Sequence, residues 1–132
     1  MEKFHDRPYD IEATVKNCRH ESKTFFRSGY RPAFDIHQFY ATSGEITFLD
    51  RQDLHYDEEA TALVKFITPE YYPKSIWAGK KISFKEGARI TGYAIVTKII
   101  NKNLESDIPG EEMPLVSEIM EIIDKLNKQN KN

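Results

Sequence analysis

The chain has 132 residues, 39% of them hydrophobic and 12% aromatic, with 30% charged and a net charge of −2. That is enough apolar material for one packed domain with an appendage, and it excludes disorder of the whole chain. The single cysteine, Cys18, excludes an intramolecular disulfide and any zinc site built on paired cysteines. No run reaches the length of a membrane span, and Met1 to Asp6 offers no apolar stretch for a signal peptide, so a cytoplasmic, reducing compartment is expected, with no membrane partner. Residues 1–102 carry 16 Lys+Arg against 14 Asp+Glu, whereas residues 103–132 carry 3 against 7. The body is mildly basic and the tail acidic, a weaker bias than dedicated nucleic-acid binders show.

In chain order, Tyr9, Ile11, Ala13 and Val15 alternate with Asp10, Glu12, Thr14 and Lys16, the period of a half-buried strand. Residues 33–40 form a second such run, with Phe34, Ile36 and Tyr40. Ser43-Gly44 reads as a turn, and Glu45 to Leu49 as a short third strand. Ala60 to Thr68 is the fourth, stopped by Pro69, which cannot donate to a ladder. Lys81 to Lys85 and Arg89 to Ile100 complete six strands. The fold class expected is all-β: a six-stranded antiparallel β-barrel spanning residues 1–102, closed so that no edge is left exposed.

The texture changes after the barrel. Residues 103–113 are polar, contain Pro109-Gly110 and read as a linker. Residues 114–128 then place Leu115, Ile119, Ile122 and Leu126 on one stripe, widened by Val116, Met120 and Ile123. This is the pattern of an added C-terminal amphipathic α-helix, with Pro114 in its first turn and Lys125 and Lys128 near its end. It is expected to cover barrel surface or to pair with another copy as a homo-oligomer, because so short a helix is marginal unless it packs.

Nothing in the sequence argues for catalysis or a cofactor. Neither the Walker phosphate loop nor the dinucleotide-binding glycine motif is present, so no GTP site is expected. His5, His20, His37 and His55 lack metal-ligand spacing, and Glu58-Glu59 sits in a loop-like stretch rather than as an acid/base couple. Cys18 has no neighbouring base to activate it. The Pro69 to Lys80 loop carries Tyr71, Tyr72 and Trp77, readable either as an aromatic protein-contact surface or as a cover over a barrel mouth.

Two distant segments are more informative. One is Arg19-His20 followed by Phe25-Phe26-Arg27-Ser28-Gly29-Tyr30-Arg31-Pro32; the other is Glu86-Gly87-Ala88-Arg89-Ile90-Thr91-Gly92. Each sets glycine and arginine at the edge of a strand, the first with aromatics as well, where arginine offers a planar fork of donors. In order and spacing, together with Ser43-Gly44 and Val96-Thr97-Lys98, they resemble the third domain of bacterial elongation factor Tu across residues 8–100. The pattern departs at Ala33, where that family has glutamine, and at Ala88, where it has a second glycine.

The resemblance implies a six-stranded barrel that helps to bind the T-stem of aminoacyl-tRNA and docks on partner domains. Its tRNA-contacting positions fall on Arg19, His20, Ser43, Glu86 and Gly87, with Arg31 and Arg89 beside them. The expected function is a non-catalytic binding module for a tRNA stem or other structured RNA, salt-dependent through its phosphate contacts. The alternative is a protein-interaction module of the translation machinery that mimics the factor, as a decoy, regulator or immunity-type protein.

Overall fold

The computed structural model describes residues 4–20, 25–37 and 40–110. The expected helix at 114–128 lies outside them.

Among the described residues eight strands form: β1 (Ile11–Asn17), β2 (Phe26–Arg27), β3 (Ala33–His37), β4 (Tyr40–Phe48), β5 (Asp53–Leu54), β6 (Glu59–Phe66), β7 (Lys81–Glu86) and β8 (Arg89–Ile99). Six of them close into an antiparallel barrel in the order β1-β6-β4-β3-β7-β8, while β2 and β5 pair separately. The alternation seen in sequence sets the inside: Ile11, Ala13 and Val15 are fully buried, and Glu12, Thr14 and Lys16 face outward. Phe34, Phe66, Phe84 and Phe26 fill the centre as a chain of rings 5.3–5.7 Å apart. Each such ring contributes about 1.5–3 kcal/mol by leaving water.

Ser43-Gly44 is not a turn. It lies within β4, with Ser43 opposite Ala33 and Gly44 opposite Phe66. Glycine is needed there for packing: a Cβ at Gly44 would sit 2.9 Å from the Phe34 ring and 3.0 Å from that of Phe66. The reversal between β3 and β4 instead falls after His37, which pairs with Tyr40, so Tyr40 opens β4 rather than ending β3.

The stretch expected as a linker begins by packing on the barrel. Leu104 is fully buried. Three backbone bonds zip residues 103–106 onto the loop before β7: Lys74 N to Asn103 O, Ile76 N to Leu104 O and Ser106 N to Ile76 O, at 2.7–2.9 Å. One end of the barrel is thereby closed. Ile76 plugs it, and Tyr72 is buried with its hydroxyl donating to Ala41 O at 3.1 Å. The Lys80 ammonium, itself buried, donates to the carbonyls of Ile36 (2.5 Å) and Ser75 (2.7 Å) beneath the Trp77 ring.

At the same end Asp10 clasps three strands. Its carboxylate accepts from Phe66 N at 2.7 Å and Asn101 Nδ2 at 2.9 Å, and its carbonyl accepts from Ile100 N and Asn101 N. Burial pushes the Asp10 carboxyl above the usual carboxylate range, against the opposing pull of its bonds to Asn101 and Phe66 and of the Arg7 charge.

Candidate functional site

The opposite end gathers the chain's two marked segments, because the barrel order sets β1 beside β8 and β8 beside β7. Asn17, fully buried at the end of β1, turns the chain there. Its Nδ2 donates to Leu54 O at 2.9 Å and its Oδ1 accepts from Arg19 N at 2.8 Å. This local bond aims Arg19 across the barrel mouth. Arg19 Nη1 meets Glu86 Oε1 at 3.3 Å, and Tyr30 donates to the same oxygen at 3.0 Å.

Tyr30 reaches this position because its ring stacks on Phe26, 4.3 Å between centroids and 15° from parallel, and packs edge-on to Phe84. A ring seated in a core needs a partner for its hydroxyl. Thr91, fully buried on β8, supplies one at 2.9 Å. With the phenol hydrogen on the Glu86 carboxylate, the Thr91 hydroxyl is the donor of this second bond. Burial pushes the Tyr30 hydroxyl far above the ordinary phenol range; the Thr91 bond opposes that shift and the Glu86 contact adds to it. Tyr30 therefore stays protonated across the physiological range.

Arg19, Phe26, Tyr30 and Glu86 line a shallow concavity of about 420 Å³ with Phe25, Arg27, Ser28 and Gly29. Arg19 Nε is buried and has no hydrogen-bond partner among the described residues. The rim is the β7–β8 hairpin, whose two-residue loop, Gly87-Ala88, joins Glu86 to Arg89. Gly87 takes φ +60°, the conformation glycine permits at the first position of such a loop. Ala88 does not have a positive φ, so a side chain is tolerated there.

Of the residues expected from sequence, Arg19, Glu86, Gly87 and Arg89 meet at this end. His20 follows Arg19 but is exposed, its ring edge-on to Tyr56 at 6.2 Å. Arg31 lies on the barrel flank, with Nε and Nη2 both on Glu45 Oε2 at 3.0 and 2.8 Å and its guanidinium over Phe4. Ser43 is also on the flank, separated from Lys85 by Ala33 in a row across three strands. Tyr71, Tyr72 and Trp77 do not form one contact surface: Tyr71 is exposed, Trp77 half-buried, and the Tyr72 ring belongs to the core. Sequence reasoning missed Tyr30 and Thr91 as members of the site. The available signal was a polar threonine in a β-branched strand and a tyrosine hydroxyl in need of a partner.

Charge at this end is compensated. Arg27 faces Asp53 at 3.5 Å, Lys85 faces Asp35 at 3.1 Å and Lys16 faces Asp57 at 3.2 Å. Among the described residues there is no cluster of three metal-ligating side chains, and no helix is long and apolar enough to cross a membrane. No protein-family model matches the chain, and no curated protein matches it.

Proposed function

We propose that this chain is a non-catalytic binding module built like the third domain of elongation factor Tu, and that it holds a tRNA stem or another structured RNA at the Arg19–Glu86 end of its barrel. The observation that carries this reading is the joining of Arg19, Tyr30 and Glu86 around one concavity, from segments distant in sequence. A-form RNA displays 2′-hydroxyls, each donor and acceptor, across a shallow minor groove. The Glu86 carboxylate accepts from such a hydroxyl, the part-exposed Arg19 side chain brings a cation to an RNA oxygen, and Gly87 lets the strand approach the backbone. Recognition is by shape, with few phosphate contacts.

The test is a titration of labelled tRNA between about 50 and 200 mM salt. Each neutralised phosphate contributes a slope of about −0.9 in log K against log salt. Because the neighbouring cations already face carboxylates, a saturable isotherm with a slope of about −1 to −2 is expected, shallower than the sequence motif alone implies. Absence of saturable binding overturns the RNA reading.

The compensated charge favours one second reading, a protein partner from the translation machinery with its own mixed charges. The two part on nuclease treatment: a complex that survives it, with no tRNA isotherm, selects the protein partner.

A further inference from the structure

We propose that an unpaired nucleobase of the bound RNA stacks on the exposed ring of His55, beside the Arg19–Glu86 concavity; this inference rests on the RNA reading above and names a second part of the RNA that the protein takes. The short strands β2 and β5 pair Phe26 with Leu54 and Arg27 with Asp53. Phe26 and Leu54 are buried in the core, so their chain neighbours Phe25 and His55 fall on the other face. There the two rings meet, 4.9 Å between centroids and tilted by 41°, and the Arg27 guanidinium lies over the Phe25 ring at 5.6 Å. Arg27, Phe25 and His55 thus make a row of three flat groups. Phe25, at its centre, is half-buried, while the outer members, His55 and Arg27, are exposed.

The chemistry of this face selects a base over a phosphate. Its nearby cations already meet carboxylates: Arg27 faces Asp53 at 3.5 Å, Lys16 faces Asp57 at 3.2 Å and Arg51 faces Glu58 at 3.8 Å. What is left for a ligand is flat π surface, and unpaired RNA bases are held by stacking on aromatic rings and guanidinium planes. Tyr56, 53% exposed and edge-on to His20 at 6.2 Å, extends that surface. His55 is also fixed in place. Its N–H donates to Glu58 Oε1 at 2.7 Å, and its carbonyl accepts from Glu58 N at 3.1 Å. A ring on a held turn loses little freedom when a base lands on it. Phe25 and Arg27 line the same concavity as Arg19, Tyr30 and Glu86. One RNA therefore reaches both places, with a paired stretch at Glu86 and the base beyond its end at His55.

The test compares two RNAs on the full chain: a blunt duplex, and the same duplex ending in one unpaired, fluorescent aminopurine nucleotide. The unpaired base should tighten binding about tenfold, and its fluorescence should be quenched on binding. The His55 side chain is exposed and its turn is held by backbone groups, so substitutions here leave the fold intact. His55→Phe should keep the gain. His55→Ala and His55→Lys should abolish it, the latter because a cation without a ring cannot stack. Equal affinity of the parent protein for the two RNAs, or a gain that His55→Lys retains, overturns the stacking site while the RNA reading stands. Binding of neither RNA overturns both.

Discussion

The two ends of this barrel solve opposite problems with similar residue types. The closed end spends its aromatic and polar groups inward: Tyr72 bonds Ala41, Lys80 ties two carbonyls, and Asp10 clasps the ends of three strands. The Arg19–Glu86 end uses a tyrosine, an arginine and a glutamate just as closely coupled, but leaves them around a concavity with one arginine donor unmet among the described residues. On the proposed function, the contrast separates groups that complete the fold from groups arranged for a ligand, which residue identity alone does not do.

The contrast is sharpest when each end is damaged in turn. Leu104→Ala, at the closed end, should lose about 2–5 kcal/mol of stability by denaturant unfolding; a loss below 1 would mean that residues 103–107 do not seal the barrel. Tyr30→Phe should cost about 1–2 kcal/mol, because the buried Thr91 hydroxyl loses its partner. Asp10 provides a pH test. Its carboxyl titrates higher in the folded state than its ordinary 3.8, so the native state holds the proton more tightly than the unfolded chain. Stability from this group is present below pH 3.8 and falls as pH rises through the raised value. Asp10→Asn should flatten that part of the stability–pH curve, and an identical slope in the variant would contradict the burial argument. Least visible in stability are Arg19→Ala and Glu86→Gln, expected within about 0.5 kcal/mol of the parent. Each should nevertheless weaken tRNA binding about tenfold; unaltered affinity would detach the Arg19–Glu86 end from the proposed function.

Much of the barrel was legible because strands of period two leave their mark on composition: β1, β6, β7 and β8 lie where alternation and Pro69 put them. Ser43-Gly44 misled because glycine signals a turn locally, while its role here is to make room for two rings brought in from β3 and β6. The two-residue strands β2 and β5 are too short to carry a period. The seal at the closed end was hidden in a pairing between Ile76 and Glu105, which no local pattern encodes. For the site, Arg19, Glu86 and Gly87 stood out by residue type at strand edges, but Arg31 and Ser43 were grouped with them by resemblance and lie on the flank. Tyr30 and Thr91 escaped because their bond joins positions 61 residues apart, which no local pattern encodes.

The most direct measurement of the central claim is an amide-resolved NMR titration of the full chain with tRNA. The account predicts shifts at Arg19, His20, Tyr30, Glu86 and Gly87, with Tyr71 to Trp77 unmoved. Shifts confined to the closed end, or none at saturating RNA, would contradict it.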